Sequence, residues 1–238
     1  MANQFHPDLL NRLVAPRISE FVAAVIPDLR SSHPEAEHWM GNHFVNNLFR
    51  GAFIGDTRQF VVNLLFRAQA QFAQYHQARD ATVEYLSKSG LHSPALKLYF
   101  RAIVQWETCL LSYEVFVDVL VKMGNPKIFQ QKDGSREQRA YDIANTIKHW
   151  ASSIDSKRND DATIPMWLSN EGLHTRTLSL TFDELAAITN DIAKIANDIQ
   201  DARTFALIAS QPGIQVVADD ATEVVCDMET LDKWLANK

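Results

Sequence analysis

The chain has 238 residues, 46 % of them hydrophobic and 22 % charged, with a formal net charge of −6 and a pI near 5.7. That apolar content over that length supports one large domain or two small ones, while the acidic balance gives no bulk attraction for nucleic acid. Eight glycines and eight prolines are too few for an all-β fold and favour long helices.

Residues 1–30 are amphipathic and interrupted by Pro7, Pro16 and Pro27, which predicts short helices rather than one long one. Ser32, with Pro34, Glu35 and Glu37, reads as a helix start, and Gly51 and Gly55 punctuate that helix's end. Asp56 is placed to cap a long helix in which Phe60, Leu64, Ala68, Phe72, Tyr75 and Val83 keep roughly helical spacing until Gly90. Ser93-Pro94 opens the next helix, proline being tolerated in a first turn. Its apolar face runs through Leu96, Tyr99, Phe100, Ile103, Leu110, Tyr113, Val117 and Leu120, and Gly124-Asn125-Pro126 ends it.

A helix is predicted over Arg136 to Ile154, with two opposed faces. Ile143, Ile147, Trp150 and Ile154 form an apolar stripe, and Asp142, Asn145, His149 and Ser152 form a polar one nearly half a turn away. A carboxylate, an amide, an imidazole and a hydroxyl in a row fit a chemical site; the same pattern describes a solvated surface helix. Residues 155–180 break the helical pattern with a polar loop, then short alternating segments that predict one or two extended pieces. Thr181 and Glu184 have capping-box spacing, with Leu180 and Leu185 at staple positions, and open a helix expected to reach about Ile208. Beyond Gln211-Pro212-Gly213, two short apolar runs around Asp219-Asp220 predict a β-hairpin, followed by a short helix. The expected fold is therefore mainly α, a bundle of five to seven helices with a small C-terminal β-hairpin. Its divisions are an N-terminal helical extension (1–92), a helical core (93–210) and a tail (211–238), packed as one structural domain.

Charge is unevenly spread. Residues 122–159 hold eight Lys and Arg against four Asp and Glu, whereas residues 160–238 hold five against fourteen. The one basic segment thus surrounds the polar-striped helix, which suits a local anion site, and the acidic C-terminal third suits a basic protein partner. Cys109 and Cys226 lie far apart in no metal-type spacing; two free thiols and a start without the layout of an export signal imply a reducing cytoplasm. No apolar run approaches the ~20 residues needed to span a bilayer, so no membrane association is expected.

His33, His38 and His43 invite a metal reading, but a spacing of five turns each histidine well away from the last on a helix, and no metal is expected. Glu107 lies in a strongly apolar helix, with Asp118 eleven residues on; a buried carboxylate needs a partner, and an Arg or Lys from the striped helix is expected to supply one. No glycine loop for phosphate, dinucleotide fingerprint, nucleophile elbow or zinc-finger spacing occurs, so no cofactor is implied.

The long helix LKLYFRAIVQWETCLLSYEVFVDVLVKM, then a loop and a helix carrying YDIANTIKHW, resembles members of the HEPN superfamily, prokaryotic helical proteins that include toxin and phage-defence ribonucleases. The resemblance covers roughly residues 93–208. It implies a homodimer in which two polar faces meet and cleave RNA without a metal. His149 would be the proton carrier, Asn145 and Arg139 would orient or stabilise phosphate, and Lys148, Asp142 and Ser152 would contact substrate. The family places an arginine before the histidine with four to six residues between them; here those positions hold Ala144, Ile143 and Asp142, and the nearest upstream arginine is Arg139. A non-catalytic module that binds a protein partner or a nucleotide is the alternative.

Overall fold

The structure, a computed structural model, describes residues 5–48, 55–88, 93–122, 129–130, 132–154 and 163–200. The fold is mainly α, as the sequence predicts. Seven α-helices occur among the described residues: α1 (Pro7–Leu13), α2 (Trp39–His43), α3 (Gly55–Ser87), α4 (Ser93–Lys122), α5 (Arg136–Lys148), α6 (Trp150–Ile154) and α7 (Phe182–Gln200). A three-stranded antiparallel sheet, β1 (Trp167–Leu168), β2 (Gly172–His174) and β3 (Ser179–Thr181), precedes α7 in the order β1-β2-β3. The hairpin and last helix expected after residue 210, and the end of α7 expected near Ile208, lie outside the described residues. No helix among the described residues is long and apolar enough to cross a membrane.

The chain forms two units. The first comprises residues 1–28, 74–114 and 129–189, and the second residues 29–73, 115–128 and 190–238. In the first unit, α1 begins with Pro7 at a position where a missing N–H is harmless, capped by the His6 side chain. Arg17 then turns the backbone with φ +58°, and Ile18–Glu20 form one 3₁₀ turn. The core of this unit is aromatic. Tyr75 packs edge-on against Trp106 with ring centres 5.7 Å apart, Trp106 lies 5.6 Å from Phe182, and Tyr85 sits between Phe21 and Tyr99, 5.4 Å from each. Burying each such ring contributes roughly 1.5–3 kcal/mol. Three of their polar ends are satisfied: Tyr75 donates to the Pro27 carbonyl at 2.8 Å, Tyr99 accepts from the Leu168 amide at 3.2 Å, and the Trp106 indole donates to Thr82 Oγ1 at 2.9 Å.

The sheet is held tightly to the start of α7. Gly172 pairs with Thr181, and Leu173 with Leu180. A Cβ on Gly172 would run into the Leu180 carbonyl and lie 2.7 Å from Thr181 Cα, so glycine is required there by close approach. Three strands occur where the alternating pattern predicts one or two extended pieces. The third was concealed because Ser179–Thr181 also supply the residues that cap α7.

In the second unit, the helix expected from Ser32 onward begins later and in pieces. A 3₁₀ turn (Ala36–His38) leads into α2, which widens to a π-helical segment at Phe44–Leu48. Trp39 is fully buried and meets Phe72 edge-on at 5.6 Å. Asp56 stands inside the first turn of α3, where its charge suits the helix dipole, rather than before it. In the first unit, two residues expected on apolar helix faces are instead exposed, Val83 at 44 % and Phe100 at 41 %. Each directly follows a buried residue, Thr82 and Tyr99 respectively, so the ~100° turn per residue carries it off the buried face.

Candidate functional site

The polar-striped segment lies wholly in the first unit, and it is not one helix. Ser135 caps α5, its hydroxyl accepting from the Gln138 amide at 3.2 Å, while Gln138 accepts from the Gly134 amide at 2.8 Å. The Ser135 hydroxyl thus satisfies one of the amides that a helix start leaves open, Gln138 reaches back past the cap to Gly134, and the Ser135 amide itself donates to Asp133. Gly134 has φ +72°, which lets the chain turn into the cap. At the other end the helix stops at Lys148. His149 takes φ −104° and ψ +15°, and its amide bonds the Asn145 and Ile147 carbonyls. A new short helix, α6, starts at Trp150. The predicted single helix is thus divided at the histidine that the polar stripe centres on.

The two faces are otherwise as expected at their upstream end. Ala140, Ile143 and Ala144 are fully buried, and Ile147 and Trp150 are half-buried, with the Arg176 guanidinium 5.0 Å over the Trp150 ring. On the polar side Asp142 and Asn145 are half-buried, and His149 and Ser152 are exposed. Burial holds the Asp142 carboxyl above its ordinary range. No described residue hydrogen-bonds the side chain of Asp142, Asn145, His149 or Ser152. The Thr146 hydroxyl, beside them, returns to the Asp142 carbonyl at 2.9 Å.

The two flanking cations are occupied elsewhere. Arg139 donates from Nε to the Gly134 carbonyl at 3.2 Å and from Nη1 to the Ser179 carbonyl at 2.7 Å. Both terminal nitrogens also bond the Glu184 carboxylate. That carboxylate closes the predicted capping box of α7, accepting from the Thr181 amide at 3.0 Å while Thr181 Oγ1 accepts from the Glu184 amide at 3.1 Å. Burial pushes the Glu184 carboxyl up, but the bonds from Arg139 and Thr181 outweigh it and leave the group below its ordinary value. Lys148 reaches back to α4 and donates to Glu114 at 2.5 Å; Glu114 is only 3 % exposed. Arg139 also lies ten residues before His149, ~15 Å along an ideal helix axis, so the structure does not bring it to the histidine.

Glu114 is the residue that sequence reasoning missed. A Lys from the striped helix does neutralise a buried carboxylate of α4, but not at Glu107. Glu107 stands one heptad earlier, half-buried with no charged partner among the described residues, and burial raises its carboxyl above the ordinary range. Asp118 is exposed. The signal for Glu114 was its place between Tyr113 and Phe116, both buried. Tyr113 adds a second tie between α4 and α5, donating to the Glu137 carbonyl at 3.2 Å.

The three histidines of the second unit do not converge, and no group of three potential metal-ligating side chains occurs among the described residues. His33 is buried, His38 exposed, and His43 buried with its imidazole pushed down to about 4 by desolvation. Comparison with protein-family models, with curated proteins and with solved structures gives no match to this chain.

Proposed function

We propose that the chain is a HEPN-like helical interaction module that pairs with a second copy of itself through the Asp142–Asn145–His149–Ser152 face, without RNA chemistry there. One observation carries this reading. The four stripe side chains have no hydrogen-bond partner among the described residues, whereas the two cations beside them are tied to Glu184 and Glu114. Binding a polyanion draws its affinity from cations released to meet phosphates. Here Lys148 would have to leave a carboxylate buried and unpaired, which costs several kcal/mol. An amide, an imidazole and a hydroxyl each donate and accept. Such a face is self-complementary, as a twofold pairing of identical surfaces requires.

The test is solution mass by light scattering on the wild type and on Asn145→Arg with Ser152→Arg. Both positions lie off the buried face, so the fold is expected to survive. The reading expects a wild-type dimer and a variant monomer. A wild-type monomer, or a variant that remains dimeric, rejects it.

Metal-independent RNA cleavage at such a dimer interface, in a toxin or phage-defence setting, is the second reading. It is favoured by the exposure of His149 at a break between helices, where an imidazole can reach an incoming 2′-hydroxyl. Cleavage of a mixed RNA substrate in the presence of a chelator, lost in His149→Ala, would move the assignment to this reading.

A further inference from the structure

The outward side of α4 is apolar where a surface helix is normally polar. Phe100 and Val104 stand one turn apart and are both exposed, Val104 at 53 %. Leu111, two turns after Val104, is half-buried on the same stripe. Thr108 folds its hydroxyl back to the Val104 carbonyl at 2.8 Å, so its proton is spent within its own helix. On α3, the exposed Val83 directly precedes Glu84, whose carboxylate bonds Arg101 of α4 and, at 3.1 Å, Lys88. All of these residues lie in the first unit.

Glu107 stands beside this stripe, three residues after Val104 and four before Leu111. It is half-buried, and no hydrogen bond or ion pair reaches its carboxylate from the described residues. Arg101 is bound to Glu84, and Lys148 to Glu114. Lys97 is ten residues away, ~15 Å along the helix axis. Burial alone raises the Glu107 carboxyl above its ordinary range, with no charge to offset it.

We propose that the outward face of α4 around Glu107 docks an amphipathic helix of a partner protein that carries a lysine or arginine on its apolar side. This surface is separate from the polar face of α5 and α6 and does not depend on the reading given for that face. Charge complementarity selects the occupant. A wholly apolar helix or a lipid surface would bury the carboxylate without a counter-charge, which is strongly unfavourable. A second copy of α4, paired about a twofold at the middle of the stripe, would bring Glu107 close to its own equivalent. A partner cation instead turns the carboxylate into a desolvated anchor ringed by apolar contacts. The helical form follows from the spacing, since Phe100, Val104 and Leu111 make a ridge of the kind that seats against another helix. An acid that costs its own fold stability also fits a binding role better than a structural one.

The experiment is a fluorescence-anisotropy titration of the full chain against a labelled synthetic amphipathic helix of leucine and lysine, with a leucine–glutamate helix of the same pattern as control. Saturable binding of the lysine peptide alone is expected, weakened about ten-fold or more by Glu107→Gln and by Phe100→Ser with Val104→Ser. Glu37→Gln removes the same charge from an exposed position of the second unit and should leave the affinity unchanged, which separates the anchor from the net charge of the chain. Glu107→Gln is expected to melt no lower than the wild type, so its weaker binding is not a folding defect. Circular dichroism checks the apolar variant, whose altered side chains are exposed. The proposal is overturned by no binding of the lysine peptide up to about 1 mM, by equal binding of the glutamate peptide, by equal losses in Glu107→Gln and Glu37→Gln, or by unchanged affinity in either folded site variant. A lower solution mass of the apolar variant than of the wild type also overturns it, assigning the face to a second copy.

Discussion

Arg139 and Glu184 form a two-pronged ion pair in which the carboxylate simultaneously caps α7. One side chain of α5 is thereby fastened to the first turn of α7 and, through the Ser179 carbonyl, to β3. The pair is partly buried, so its bonds are charge-assisted in a medium less polar than water.

A double-mutant cycle with Arg139→Met and Glu184→Gln should give a coupling of about 1–3 kcal/mol in urea unfolding. The folded Glu184 carboxyl lies below its unfolded value, so this contribution is complete above the unfolded value and lost as pH falls through the folded one. The coupling should therefore shrink at acid pH; a coupling near zero at neutral pH would show that the two residues act independently.

Gly172→Ala should destabilise the protein by about 2–3 kcal/mol, because the added methyl meets the Leu180 carbonyl and the Thr181 backbone, which cannot rotate away. Gly41→Ala, where a Cβ meets nothing within 4 Å, is the control and should be neutral or slightly stabilising. Equal effects at the two positions would remove the close-approach argument.

Glu107→Gln should stabilise at neutral pH by on the order of 0.5 kcal/mol, or about 1–2 °C in Tm. Burial raises the folded carboxyl, so ionising it costs stability as pH rises from the unfolded value. Thermal melts of wild type and variant should converge at pH 4 and separate at pH 7; separation in the opposite sense would mean that Glu107 has a partner.

His43 is fully buried and held neutral, its imidazole lowered from 6.5 to about 4. The unfolded chain takes up this proton first, so stability is complete above 6.5 and declines as pH falls toward 4. Between pH 7 and 4.5 that loss is about 2 kcal/mol from this one group. His43→Gln should be less stable at pH 7 yet show a correspondingly shallower decline; urea unfolding at the two pH values measures it.

Local signals made much of the fold legible. The Thr181–Glu184 box, the long apolar spacings of α3 and α4 and the shortness of α1 each follow from residues within one or two turns. The Ser135–Gln138 cap carries the same S-x-x-Q signal, and it sits where α5 begins. The break at His149 had no such signal, since the apolar spacing from Ile147 to Trp150 continues through it. The site was legible only in part. Periodicity placed Asp142, Asn145, His149 and Ser152 together, but the commitments of Arg139 and Lys148 depend on Glu184 and Glu114, 45 and 34 residues away. Charge counting along the chain saw a basic segment; folding turned its two most relevant cations into internal ties.

The buried indoles also equip the molecule for spectroscopy. Trp106 donates to Thr82 within the first unit, and Trp39 donates to Asn197 within the second. Each unit therefore carries its own blue-shifted fluorophore, anchored by one hydrogen bond. The difference between the wild-type melt and that of Trp106→Phe or Trp39→Phe isolates one indole from the chain's five tryptophans, so coincident midpoints identify one cooperative transition and separated midpoints identify two.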